Sequence, residues 1–206
     1  MFTLYGYDGS GSVAVEALLS ELGLPFRLKI VGQDAHGEFS SDFKAISPRS
    51  QVPVLELPDG SVMTESGAMM IYLADLMPEA GLAPRPSDSR RSHYLRAIFF
   101  LAASTYPAYL RFFYPNRYSV NPNGAAGVKA AAEKDIWRDL SILGKLLGKS
   151  EWIGKTFSAA DIYAAMLVSW CGDLALLGET EPSLYAHFGR VKQRRNAGKV
   201  FARNGL

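Results

Sequence analysis

The sequence predicts an α+β fold: a mixed segment of short strands and helices, followed by an all-α segment. Three observations carry this reading. Residues 1–77 switch repeatedly between the alternating pattern of a strand and the spacing of a helix. Residues 88–206 keep helical spacing almost throughout. Between them, residues 78–87 hold three prolines and a glycine and have no periodicity, which is the composition of a linker. The expected division is therefore a first domain over 1–77, a linker over 78–87 and a helical domain over 88–206.

Composition narrows the function. With 206 residues, 48% apolar and 20% charged, the chain can bury a core without covalent staples. A lone cysteine, Cys171, allows no internal disulfide, and three histidines offer no Cys/His cluster, so no metal is expected. A net charge of +2 gives no ground for nucleic acid as a default partner. No apolar run spans a bilayer, and Met1-Phe2-Thr3-Leu4-Tyr5-Gly6 lacks the basic start and apolar core of a signal peptide. A cytoplasmic protein without a membrane partner is expected.

In chain order, Phe2-Thr3-Leu4-Tyr5 reads as a strand. The flexible turn Asp8-Gly9-Ser10-Gly11-Ser12 leads into a helix carrying Val15, Leu18, Leu19 and Leu22, stopped by Gly23. Phe26, Leu28 and Ile30 alternate with Arg27 and Lys29 as a second strand. Residues 34–47 are polar, with Phe39, Phe43 and Ile46 on one side, and suggest a short, mobile helix. Val54-Leu55-Glu56-Leu57, the turn Pro58-Asp59-Gly60 and Ser61-Val62-Met63-Thr64 form a hairpin. The next helix is expected to bury Met69, Tyr72, Leu73 and Leu76.

The helical half starts with a long helix from Asp88, kinked by Pro107 and ended by Pro115, before an exposed Asn/Pro/Gly loop. Residues 125–147 follow, with Ile136, Leu140, Leu143 and Leu147 as one apolar stripe. Ser158 and Asp161 match a capping box, with Phe157 placed to staple onto Ile162. Residues 162–177 are apolar throughout and read as one central buried helix. The chain from Pro182 is expected to be an outer helix with a basic tail, Arg190, Lys192, Arg194, Arg195, Lys199 and Arg203, forming a solvated face.

Three stretches have the residues for a binding site. Gln51-Val52-Pro53 enters a strand, and a cis Val52-Pro53 bond would turn the N–H and C=O of Val52 toward an extended, peptide-like ligand; a trans proline at a sheet edge reads equally well. Glu65-Ser66 opens a helix, where Ser66 and free N–H groups suit a carboxylate and Glu65 an ammonium, as in an α-amino acid. Taken alone, the pair is equally a simple cap and a solvated charge. Ser10 or Ser12, before the first helix, either stabilises a thiolate or merely caps. On the helical side, Tyr106, Tyr109, Phe112, Phe113 and Tyr114 crowd one segment and would line an apolar pocket or the core. Cys171, on the buried helix, reads as inert packing.

The order of these signals, with the helical second half and the Ser-x-x-Asp cap, resembles the cytosolic glutathione transferases over nearly the whole chain. The resemblance implies a thioredoxin-like N-terminal domain, an all-α C-terminal domain, a homodimer, and glutathione as substrate. It also implies that Pro53 is a cis-proline and that Val52 meets the cysteinyl part of glutathione. Glu65 and Ser66 would hold its γ-glutamyl end, and Gln51 would reach the same ligand. Bacterial members often carry cysteine at the place matched by Gly11; here Ser10, or Ser12 one step along, resembles the serine of the serine-type classes, with Tyr5 and Tyr7 as the tyrosine alternative. The implied reaction is conjugation of glutathione to a small, apolar electrophile, with Tyr106, Tyr109 and Phe113 at its site. Two alternatives stand beside it: a glutathione-transferase-like binding or regulatory protein, and a glutathione-dependent isomerase whose Ser-Ser-Cys turn Gly9-Ser10-Gly11 matches only in part.

Overall fold

A computed structural model of the chain describes residues 1–34 and 38–206. Strands β1 (Phe2–Gly6), β2 (Phe26–Ile30), β3 (Val54–Glu56) and β4 (Val62–Met63) form one sheet in the order β2-β1-β3-β4. β1 pairs parallel with β2 and antiparallel with β3, so that Leu4 lies between Leu28 and Leu55. Alternation along β1 divides the sheet's two faces. Leu4 joins the main core with Val15, Leu18 and Leu19 of α1 (Ser12–Glu21) and Met69, Met70 and Leu73 of α3 (Ser66–Leu76). Tyr5 faces the other way, into a smaller cluster with Phe39, Val54 and Phe43 of α2 (Ser41–Ile46).

The helix expected over 34–47 is shorter than its apolar pattern. It starts at Ser41, where the Ser40 hydroxyl accepts the Phe43 N–H at 3.3 Å, and Gln33 bridges to Phe39 before it. Residues 35–37 of that stretch lie outside the described residues. On α3 the buried set is Met69, Met70, Leu73 and Ala74, while Leu76 is exposed. The shift follows from position: α3 is sandwiched between the sheet and the helical half, so its apolar side chains face both ways. Gly67 makes this possible, because a Cβ there would come within 2.9 Å of the Ala102 methyl.

The segment over 78–87 is tied to the helical half. Leu82 and Ala83 are buried, and the Leu82 carbonyl accepts the Ala159 N–H at 2.8 Å. Helix α4 (Arg91–Phe100) continues through a π-helical turn, Leu101–Thr105, into α5 (Tyr106–Phe113). Pro107 has no N–H to donate and crowds the carbonyl four residues back, inside that turn. The wider turn takes up the conflict at the place where the sequence predicts a kink.

Helix α6 (Ala125–Leu147) buries Ile136, Leu140, Leu143 and Leu147, as its stripe predicts. Helix α7 (Ala159–Ser169) is the buried centre, yet it stops short of residue 177. Cys171 and Gly172 leave the helix, and the Asp173 carboxylate accepts the Leu176 N–H to start α8 (Leu174–Thr180). Hydropathy alone cannot see that break, because α8 is apolar too.

The capping box joins Ser158 to Asp161. Asp161 Oδ2 accepts the Ser158 N–H at 2.8 Å and its hydroxyl at 2.9 Å, while Oδ1 meets the Ile153 N–H at 2.7 Å and His187 Nε2 at 2.8 Å. Phe157, the expected staple, sets its ring edge against Trp152. Helices α9 (Pro182–Lys192) and α10 (Ala197–Arg203) complete the chain. The basic tail is only partly a solvated face. Arg194 pairs with Glu21 at 2.8 Å, and Arg203 pairs with Glu16 and, at 3.4 Å, with Asp8, so both arginines clasp α1 and the turn before it.

Candidate functional site

One cavity of about 1290 Å³ lies between the sheet domain and helices α3 to α5. Its first wall is built from two loops of the sheet domain. In one, the Ser47 hydroxyl donates to the Gln51 carbonyl at 2.9 Å and accepts the Gln51 N–H at 3.0 Å, which fixes the residues before Pro53. The Val52-Pro53 bond is cis. Among the described residues, neither the N–H nor the C=O of Val52 has a hydrogen-bond partner. A free donor and acceptor side by side can pair with an extended backbone, as in strand addition.

The other loop ends at Glu65, which precedes α3 with φ +68°. A non-glycine residue in this region is strained by roughly 1–3 kcal/mol, and such strain gathers at ligand-binding positions. Ser50, beside Gln51, shares the feature at φ +52°. The Glu65 carboxylate is largely exposed, with Arg49 3.8 Å away. Behind it the Ser66 hydroxyl shares a 2.7 Å hydrogen bond with Tyr163 of α7, so the start of α3 is braced from the helical half. Thus Gln51, Val52, Pro53, Glu65 and Ser66 all line one cavity.

The second wall is apolar and aromatic, with Ile71, Phe99, Ala102, Leu110, Tyr106 and Phe113. Tyr7 and Tyr114 close it side by side. Burial first, and then Tyr114, pushes the Tyr7 phenol up to about 12, so it stays neutral at physiological pH. Arg117 lies 4.2 Å from the Tyr114 ring centre and is the cation of this wall.

The N-terminal turn corrects several expectations. Ser10 lines the cavity, but its hydroxyl donates to the Tyr7 carbonyl at 2.7 Å and lies 2.8 Å from the Ser12 hydroxyl. A serine has one proton to give. That of Ser10 is committed to the turn. Ser12 is buried behind Ser10 and does not line the cavity. Tyr5 also points away, donating to Glu56 at 2.9 Å. Tyr109 is fully buried between helices and borders a separate, smaller cavity with Trp170 and Cys171. Sequence spacing could not separate it from Tyr106 and Phe113, because all three lie within two turns of one helix.

The sequence reading missed Ser47, Arg49, Tyr163 and Arg117. Tyr163 and Arg117 reach the cavity only through the packing of distant elements, while Ser47 and Arg49 sit in the Gln51 loop, whose conformation no residue pattern announces. Among the described residues no group of acidic, histidine or cysteine side chains could hold a metal, and no helix is long and apolar enough to cross a membrane.

The model of the glutathione S-transferase N-terminal domain matches residues 12–76. The GST-like protein YncG of Escherichia coli strain K12 is 31% identical over 174 residues, covering 82% of each chain. The chain belongs to the glutathione S-transferase family. GstA of Escherichia coli O157:H7 is 26% identical over 205 residues, 98% of each chain. The solved structure of a sphingomonad glutathione S-transferase complexed with glutathione superposes with a TM-score of 0.83 at 30% identity over 99% of each chain. The family's architecture, a thioredoxin-like domain followed by a helical one, is the architecture of this chain.

Proposed function

We propose that this transferase-family chain binds glutathione in the cavity and directs its thiolate onto a small, apolar electrophile. The unpaired N–H and C=O of Val52 carry the reading, because they offer both halves of a backbone pair to a peptide-like ligand at the cavity wall. In this reading Val52 pairs with the cysteinyl residue, next to Pro53. Glu65 attracts the γ-glutamyl ammonium, Ser66 and the N–H groups of α3 hold its carboxylate, and Gln51 reaches the same ligand. Residues 1–77 form the glutathione-binding domain, with 88–206 supplying most of the second wall beyond the linker at 78–87.

The electrophile then lies against Phe99, Leu110 and Phe113, and the rate gain comes from holding thiolate and carbon in contact. The sulfur's electron pair forms the new bond to carbon, and a leaving group departs with the old bond pair. Family membership supports a homodimer acting in the cytoplasm. The test is turnover of a chlorodinitrobenzene with glutathione by purified protein. Enzymatic conjugation above the spontaneous rate supports the proposal, and tight glutathione binding without turnover would instead identify a binding protein.

A further inference from the structure

Both serine hydroxyls of the N-terminal turn are engaged within the protein. Ser10 donates to the Tyr7 carbonyl, and Ser12 is buried against Ser10. Something else must face the sulfur if the thiolate is stabilised by a side chain.

Tyr106, in the first turn of α5, meets that need by position. A Cβ added to Gly11 would overlap its hydroxyl oxygen and fall 2.9 Å from its Cε2 and Cζ. The phenol therefore stands where the side chain of residue 11 would be, at the N-terminal end of α1. The Trp170 ring braces it, 5.3 Å away and edge-on, while Trp170 Nε1–H donates to the Gly9 carbonyl at 3.1 Å and holds the same turn. Among the described residues the Tyr106 hydroxyl has no hydrogen-bond partner, and it opens onto the cavity. Burial raises its pKa far above the ordinary phenol value, so the proton remains available for donation.

We propose that the Tyr106 hydroxyl, reaching in from the helical domain, donates the hydrogen bond that stabilises the glutathione thiolate. This rests on the glutathione reading above. The thiol proton leaves to water, the Tyr106 O–H turns onto the sulfur anion, and the phenol keeps its own proton while the sulfur attacks. A donor aimed at the charged form favours it, which lowers the thiol from its ordinary value of roughly 8.5. The architecture explains Gly11 as well: any side chain there would evict the donor.

The test is a pH titration of the ultraviolet thiolate signal of bound glutathione in the wild type, Tyr106→Phe and Ser10→Ala, beside calorimetric affinity for S-methylglutathione. Tyr106→Phe is expected to raise the bound thiol's pKa by about one unit or more, the scale of one hydrogen bond to a charged group. Affinity for the methylated ligand should stay within about twofold, since a lost sulfur contact is irrelevant to a thioether. Ser10→Ala should leave the thiol's pKa in place. Gly11→Ala, whose methyl takes the hydroxyl's position, should reproduce the Tyr106→Phe shift. An unchanged thiol pKa in Tyr106→Phe that still binds S-methylglutathione overturns the role of Tyr106 alone. A folded wild type that binds neither ligand overturns the glutathione reading and this inference with it.

Discussion

The side-chain oxygen of Asn204 accepts the N–H of Gly9 at 3.0 Å, joining residues 195 apart in sequence. Gly9 has φ +72°, and a contact from just beyond α10 thus helps to set the turn before α1. Asn204→Ala is expected to cost about 1 kcal/mol, or a melting temperature about 2–4 °C lower. It should also lower kcat/KM for conjugation, with glutathione affinity nearly kept, because Glu65 and Val52 make no hydrogen bond to the turn among the described residues. Thermal melts and steady-state kinetics on one preparation check both halves.

Glu65 separates backbone strain from ligand chemistry. Glycine relieves the positive φ, so Glu65→Gly should match the wild type in denaturant stability or exceed it by about 1 kcal/mol. Its affinity for glutathione should nevertheless fall at least about tenfold, or 1.4 kcal/mol, for want of the carboxylate. A variant that loses stability and keeps affinity would show that Glu65 serves the fold and not the ligand.

The buried cluster around Asp161 should behave in the opposite manner. Ser158→Ala is expected to destabilise by about 1 kcal/mol. Asp161→Ala should cost about 3 kcal/mol or more, since it leaves the N–H groups of Ile153 and Ser158 without an acceptor in the core. Folded fractions of both variants should bind glutathione with near-normal affinity, as measured by calorimetry below the melting transition.

Cys171 should be chemically quiet. Burial pushes its thiol up, outweighing a backbone hydrogen bond of Asp173 that acts the other way, so little of the reactive thiolate is present at neutral pH. Native protein should react slowly with a disulfide reagent at pH 7, faster as the pH rises, and at the rate of a free thiol once unfolded. Cys171→Ser should conjugate glutathione at the wild-type rate; a large loss would move the nucleophile's support to this cysteine.

What the sequence reveals follows from range. Local signals survive folding: the Pro58-Asp59-Gly60 turn, the stripe of α6 and the Ser158–Asp161 cap stand where their spacing puts them. The two loops that line the cavity are legible for the same reason, since Gln51-Val52-Pro53 and Glu65-Ser66 are contiguous motifs. The break at Cys171 and Gly172 was hidden because the helices on both sides are apolar. The state of Ser10 was hidden because its proton goes to a carbonyl whose position depends on the turn's fold. Most hidden was the meeting of Gly11 with Tyr106, which depends on how the helical domain packs against the first.

Whether Val52, Glu65 and Ser66 form a glutathione site is decided by calorimetric titration of the wild type and Glu65→Ala with glutathione. Saturable binding to the wild type and at least about tenfold weaker binding to the folded variant are expected. Equal affinity in the two proteins, or no saturable binding by folded wild type, would contradict such a site.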